Sequence, residues 1–163
     1  MAAGSSDRTD NAGVRVPPPL VFVLPFFFSF LLDRRLPFFI VGDGDAPFAM
    51  SVVGLALMVA GFGLMHWGVA RFWLAKTNLL PFKPATSLVI APPFTFTRNP
   101  MYLGGTLAYL GGALSTNWAW PLVFLPLVLG VTAGYIIPRE ERYLRARFGA
   151  DYDAYCARVR RWM

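Results

Sequence analysis

The sequence has few charged residues and a single cysteine. Asp, Glu, Lys and Arg make up 15% of its 163 residues, against about 25% in ordinary soluble proteins, while apolar residues make up 56%. A disordered chain, a coiled coil and a typical soluble enzyme are therefore excluded. The lone Cys156 excludes an intramolecular disulfide framework and a zinc cluster, so we predict no metal site. This composition is typical of a small integral membrane protein.

Charged residues are missing from two long stretches, residues 46–70 and 99–138. A membrane-spanning helix needs about 20 apolar residues. The first stretch therefore predicts one span, over residues 47–73. The second is long enough for two spans, and its polar triplet at 115–117 divides it into a helical hairpin of residues 100–114 and 118–137. The pairs Gly104-Gly105 and Gly111-Gly112 indicate close helix packing, which we expect to support this hairpin.

A further apolar run, residues 18–32, is short for a span and contains Pro25. A signal peptide is the alternative interpretation. However, two Asp and two Arg precede the run and no small-residue cleavage site follows it. We therefore expect an uncleaved first span, about four spans in all, and a disordered tail over residues 1–16. Residues 17–163 would form a single transmembrane domain.

The basic residues predict the orientation. Residues 71–98 contain Arg71, Lys76, Lys83 and Arg98 and no acid, and the segment from residue 139 onward has seven Arg against four acids. Basic segments collect on the cytosolic side, and four spans put both of these segments on one side. Both termini are therefore expected in the cytosol. The net charge of +6 then faces anionic lipid, and no nucleic-acid partner is predicted.

Residues 79–97 contain four prolines and predict an irregular cytosolic loop. The loop ends at Arg98-Asn99-Pro100-Met101-Tyr102, where Asn99 suits a helix N-cap and Pro100 the first helical position. A plain helix start explains this pattern. An anion site explains it too, because a helix N-terminus offers free N–H groups to a carboxylate or phosphate.

The C-terminal segment predicts a new helix that starts at Glu140 and Glu141, just outside the membrane, and ends at Gly149, followed by a short amphipathic helix. In the latter, Tyr152, Tyr155 and Val159 form an apolar stripe suited to the membrane surface, with arginines on lipid phosphates. Glu140 and Glu141 are either solvated partners of the helix dipole or include a receptor for a cation. Such a receptor, with the helix start at residue 100, would hold an amino-acid moiety.

Three segments resemble a known family when taken in order. They are ATSLV at residues 85–89, FTFTRNPMYLGG at 94–105 and PREERYLRARFGADYDAYCARVRRW at 138–162, with the apolar hairpin between the last two. Together they resemble the isoprenylcysteine carboxyl methyltransferase family and, more broadly, the bacterial membrane methyltransferases grouped with phospholipid N-methyltransferases. The resemblance covers residues 78–162, and implies that this half binds the cofactor. It implies an all-α integral membrane fold, S-adenosylmethionine as cofactor and a bacterial inner membrane as location.

The resemblance also implies site residues. It does not identify a catalytic residue, for which Arg98, Tyr102 and Arg139 are candidates. The sequence departs from the family at Pro92-Pro93, which precede the loop aromatic where a glycine is common. It also departs at Ile136, where the prenylcysteine enzymes have a substrate-binding arginine. The implied cofactor-binding residues are Thr86, Ser87, Leu88, Val89, Phe94, Asn99, Pro100, Met101, Tyr102, Glu140 and Glu141.

The expected activity is methyl transfer from S-adenosylmethionine to a lipophilic acceptor at the cytosolic membrane face. The acceptor is either a carboxylate or a lipid amine, and the sequence leaves the oligomeric state open. One alternative is a membrane reductase of related fold with a nicotinamide cofactor, and another is a non-catalytic membrane subunit. His66, in mid-span, either bonds a neighbouring helix or belongs to a substrate channel.

Overall fold

The computed structural model of the chain describes residues 12–14, 16–78 and 84–162. These residues form helices and loops without a strand, apart from one isolated β-bridge between Phe39 and Trp118. The prediction of an all-α fold is therefore confirmed for the described residues. The helical elements are α1 (Pro18–Asp33), α2 (Phe48–Leu74), α3 (Pro100–Thr116), α4 (Trp120–Val131), a π-helical segment (Thr132–Ile136), α5 (Ile137–Phe148) and α6 (Ala150–Arg158).

Two helices in the described part of the chain are long and apolar enough to cross a membrane. One is α2, with 27 residues, and the other is the helix that runs without a break over Trp120–Phe148, with 29. α1 is apolar but has only 16 residues, and α3 has 17. Both fall short of the about 20 residues that a perpendicular span requires. The architecture fits an all-α membrane protein.

No separate helix starts at Glu140 and Glu141, so that prediction is wrong: the helix is continuous over Trp120–Phe148. The ring of a proline crowds the carbonyl four residues earlier and supplies no N–H. Here the π-helical segment ends two residues before Pro138, and the N–H of Ile137 bonds to the carbonyl of Thr132, five residues back. The wider π turn lets the helix continue past the proline. Glu140 and Glu141 are therefore carried on an extension of a long apolar helix.

α2 and α3 form the most extensive helix pair because glycines face each other across it. On α2 the buried glycines Gly54, Gly61 and Gly68 recur every seven residues. A Cβ atom at Gly104 would lie 2.5 Å from the Gly61 carbonyl oxygen, and one at Gly111 would lie 2.5 Å from that of Gly54. The two backbones are thus in direct contact. These α3 glycines pair with α2, not with α4, which packs mainly on α1.

A buried cluster joins α3 to the helix that carries the two glutamates. It includes Tyr102, Tyr109, Val128 and Ile136, and the N-terminal residue Val14 is part of it with only 2% of its surface exposed. The disordered tail predicted over residues 1–16 is therefore wrong for residues 12–14, which pack into the protein. Residues 1–11 lie outside the described residues.

A second cluster shows that the apolar stripe of α6 faces protein and not lipid. Tyr152 and Tyr155 are buried against Phe94, and Leu88 and Leu144 pack around them. The predicted interfacial role of this stripe is wrong, because the loop of residues 84–98 covers it. α6 thereby holds that loop beside the start of α3.

Candidate functional site

A cavity of about 120 Å³ lies where the start of α3 meets α5, α6 and the loop of residues 84–98. Its wall is mostly carbon, with a few charged and polar groups between. Most of the site residues predicted from the sequence come together here. Those that line the cavity are Ser87, Leu88, Val89, Phe94, Arg98, Asn99, Pro100, Met101, Tyr102, Glu140 and Glu141.

Tyr102 and Glu140 form a hydrogen-bonded pair in this wall. The Tyr102 hydroxyl donates to Glu140 Oε1 at 2.6 Å. Tyr102 is 6% exposed, and Glu140 is half-buried. Glu140 makes no ion pair with any residue that the structure describes. Because a carboxylate withdrawn from water beside a neutral hydroxyl is costly, this position favours a positively charged partner.

Glu141, the next residue, has its charge compensated by two arginines. Arg161 donates to both carboxylate oxygens, through Nε at 3.0 Å and Nη2 at 2.5 Å. Arg98 Nη2 lies 3.3 Å from Glu141 Oε1. The hydrogen bonds from Arg161 to the Glu141 carboxylate raise the pKa of Arg161 above its ordinary value. Glu141 therefore ties the C-terminal segment to the start of α3.

Asn99 occupies the N-cap position of α3 but does not cap the helix with its side chain. Its Nδ2 donates instead to the Arg161 carbonyl at 2.9 Å. Thr97 Oγ1 donates to the same carbonyl at 3.0 Å, and the Arg98 amide donates to the Arg160 carbonyl at 3.0 Å. The capping prediction is wrong, and the first-turn amides of α3 receive no side-chain acceptor from Asn99.

Two of the candidate residues do not line the cavity. Thr86 Oγ1 donates to the Lys76 carbonyl at 3.2 Å, so it fastens the loop to the end of α2. The Arg139 guanidinium lies over the Tyr135 ring, 3.7 Å from its centroid, and donates to the Tyr135 carbonyl at 3.2 Å. Both side chains are engaged outside the cavity.

Several tyrosines at the site were not predicted from the sequence. The Tyr143 hydroxyl accepts a hydrogen bond from the Ala85 amide at 2.8 Å, and the Tyr155 hydroxyl donates to the Phe94 carbonyl at 2.7 Å. Burial raises the pKa of Tyr155, so its hydroxyl keeps the proton that it donates. Tyr143 follows Glu140 by three residues and shares its helix face, which is the signal that could have revealed it.

The comparison with known families identifies the chain. The model of the phospholipid methyltransferase family matches residues 49–151, more than half of the chain. No curated protein and no solved structure matches it. The matched region contains α2, α3 and the Tyr102–Glu140 pair, and the family groups with the methyltransferases that the sequence resembles. The match does not single out the isoprenylcysteine branch. The chain belongs to the phospholipid methyltransferase family of membrane methyltransferases.

Proposed function

We propose that this protein transfers a methyl group from S-adenosylmethionine to a lipophilic acceptor at the cytosolic face of a membrane. The observation that carries the proposal is that Glu140 lines the cavity without a cationic partner among the described residues. Its carboxylate accepts a hydrogen bond from Tyr102. Family membership supplies the reaction class, and Glu140 supplies a receptor for an ammonium group.

The residues around the cavity fit the amino-acid end of this cofactor. Glu140 would receive the ammonium group. The amides of Met101 and Tyr102 have no acceptor within their own helix and would receive the carboxylate, helped by the positive end of the helix dipole. Arg98 adds a donor, because its Nε is buried without a hydrogen-bond partner among the described residues. The ammonium group of the ligand would thus face a carboxylate of the protein, and its carboxylate would face positively charged and N–H groups.

When bound, the cofactor would supply an electrophilic methyl group: the acceptor would form a bond to the methyl carbon as the carbon–sulfur bond breaks, and S-adenosylhomocysteine would leave. The chain contributes position and exclusion of water, and the aromatic side chains of Phe94 and Tyr155 help to keep the cavity dry. A carboxylate acceptor is already ionised near neutral pH and needs no base. An amine acceptor must lose a proton, so carboxyl O-methylation and lipid amine N-methylation make different demands on this site.

The arrangement that we propose has four spans, formed by α1, α2, α3 and the long helix over Trp120–Phe148, in a bacterial inner membrane. The contact between Tyr102 and Glu140 supports one part of this arrangement, because it puts the start of α3 and the Glu140 end of the long helix on the same side of the membrane. Both lie near Arg98 and Arg161, which pair with Glu141 and belong to the two basic segments that favour the cytosol. The cofactor would then enter from the cytosol and the acceptor from the bilayer.

Transfer of labelled methyl groups tests the function directly. Purified protein in detergent is given S-adenosylmethionine labelled at its methyl group together with a total lipid extract from bacterial membranes. We expect label in the organic phase with the wild type and with Asp153→Asn, an exposed acid on α6 that pairs with Arg145. We expect little label with Glu140→Gln. Equal transfer by Glu140→Gln, or no transfer by the wild type, would contradict the proposal.

A further inference from the structure

The segment of residues 12–14, which precedes α1, closes one side of the candidate site. Ala12 lines the cavity of that site and is 9% exposed. Val14 is 2% exposed and belongs to the same buried cluster as Tyr102 and Ile136. The segment lies outside residues 49–151, which the family model matches. Membership of the family therefore assigns no role to it.

The cavity that this segment borders is too small for the whole cofactor. Its volume is about 120 Å³, whereas the pocket of a drug-sized ligand measures about 300–1,000 Å³. S-adenosylmethionine is a ligand of that size, because it joins an adenosine to an amino acid. The amino-acid end fits between Glu140 and the start of α3, and the adenosine requires further space. One wall of the cavity must therefore move when the cofactor binds.

Polar side chains hold the other walls in place. The Tyr102 hydroxyl donates to Glu140 Oε1 at 2.6 Å and joins α3 to the long helix. The Tyr155 hydroxyl donates to the Phe94 carbonyl at 2.7 Å and joins α6 to the loop of residues 84–98. Residues 12–14 are alanine, glycine and valine, whose side chains form neither hydrogen bonds nor ion pairs. Burial of two small apolar side chains docks this segment, so it separates with the smallest loss of side-chain interactions.

Gly13 allows the backbone of the segment to take its docked conformation. Its φ of 64° lies in the left-handed region, which residues with a Cβ atom rarely adopt. A Cβ atom added at Gly13 would meet nothing within 4 Å. Gly13→Ala therefore disfavours the docked conformation through the backbone alone, without a clash against the rest of the protein.

We propose that residues 12–14 form a gate over the candidate site, which is docked in the free protein and is displaced when S-adenosylmethionine binds. The inference rests on the proposed function, because it names the ligand that displaces the gate. The docked gate competes with the cofactor, so the observed affinity is reduced to the extent that the gate is closed. Weaker docking of a gate raises the affinity for the cofactor, whereas damage to a fixed wall lowers it.

Binding of S-adenosylhomocysteine to the purified protein distinguishes the gate from a fixed wall by the sign of the effect. Val14→Ser removes apolar burial, and Gly13→Ala strains the docked backbone. Val16→Ser is the matched control, because Val16 is 40% exposed. We expect both gate variants to bind about 3- to 10-fold more tightly, chiefly through faster association, and the control to bind as the wild type does. Unchanged or lower affinity in both gate variants would overturn the gate and leave the proposed function standing.

Maleimide labelling of Ala12→Cys reports the position of the gate directly, with the adduct distinguished from one on Cys156 by peptide mass. Saturating S-adenosylhomocysteine should speed this labelling several-fold, because residue 12 leaves the cavity. Val16→Cys should be labelled at one rate with and without the ligand. Slower or unchanged labelling of Ala12→Cys would overturn the proposal, since a ligand covers residue 12 of a fixed wall. Absence of binding by both the wild type and Val14→Ser would refute the proposed function and the gate together.

Discussion

Glu140 and Glu141 are adjacent in the chain but have different electrostatic surroundings. Successive side chains on an α-helix point about 100° apart, so one glutamate faces Tyr102 and the other faces Arg98 and Arg161. Glu141 is neutralised within the protein, whereas Glu140 has only a neutral donor among the described residues. This difference assigns a structural role to Glu141 and leaves Glu140 as the candidate receptor for a cation.

Glu141→Gln should therefore destabilise the protein. The substitution leaves Arg98 and Arg161 without a carboxylate, and we expect the free energy of unfolding to fall by about 1–2 kcal/mol, a value reduced because Arg161 is partly exposed. Thermal unfolding in detergent measures this change. The control, Asp153→Asn, breaks the exposed pair with Arg145 and should change little. Equal midpoints for the two variants would contradict the structural role.

Asn99 shows what a local pattern cannot reveal. Asparagine before Pro100 predicts an N-cap, and the residue does take that position, but its side chain donates to the Arg161 carbonyl, 62 residues away. Only the tertiary fold brings the Arg161 carbonyl close to Asn99, so residues 98–102 alone could not have identified this partner. The meeting of Tyr102 with Glu140 is of the same kind, although both residues were recognised individually from the family's motifs.

Asn99→Asp should consequently lower stability. As a helix cap, aspartate is about as good as asparagine, but a carboxylate has no hydrogen to donate to the Arg161 carbonyl and would face it as a second acceptor. We expect a loss of about 1–3 kcal/mol in the free energy of unfolding. Thermal unfolding provides the measurement, and an unchanged midpoint would restore the capping interpretation.

At the level of helices, glycine spacing determines which helices contact each other. Gly54, Gly61 and Gly68 recur every seven residues on α2, and Gly104 and Gly111 have the same spacing on α3. The repeat is visible in the sequence, but the neighbouring pairs of glycines on α3 suggested a hairpin with the next helix instead. Which helix packs against α3 depends on which helix faces meet in the folded protein. The charge-free stretches, in contrast, predicted the existence of α2, α3 and α4 well.

Paired alanine substitutions on α2 test this interface. A Cβ at Gly61 would clash with the Gly104 carbonyl and the Ala108 backbone, whereas a Cβ at Gly63 meets nothing within 4 Å. Gly61→Ala should destabilise the protein by about 1–3 kcal/mol. Gly63→Ala should be neutral or stabilising, because alanine favours helix by about 1 kcal/mol over glycine. Thermal midpoints that fall equally would contradict backbone contact at Gly61.

Across the whole molecule, the polar candidate site and an apolar groove follow one another along α3. Arg98, Arg161 and the candidate site lie at the end where α3 begins, and the apolar groove extends from there between α1, α2 and α3. Such an arrangement suits a reaction between a water-soluble cofactor and a membrane-dissolved acceptor. The segregation of charge was readable from the sequence, while the groove depends on how three helices pack.

The proposed topology has a direct test by cysteine labelling in intact cells. The loop of residues 34–47 should face away from the cytosol, so an impermeant maleimide should label Asp43→Cys from outside. Arg158→Cys, also exposed, should be labelled only after permeabilisation. The unmodified chain, with Cys156 alone, is the control and should stay unlabelled from outside. Labelling of Arg158→Cys in intact cells would contradict the orientation.

Equilibrium binding of S-adenosylhomocysteine to the purified protein tests the central claim, that Glu140 receives the ammonium group of the cofactor. Glu140→Gln keeps the shape of the side chain and an acceptor for Tyr102 but removes the charge. The loss of one charge-assisted hydrogen bond, about 1.5–3 kcal/mol, predicts an affinity lower by about 10- to 100-fold, with thermal stability retained. Asp153→Asn should bind as the wild type does. Equal affinity for wild type and Glu140→Gln would contradict the account.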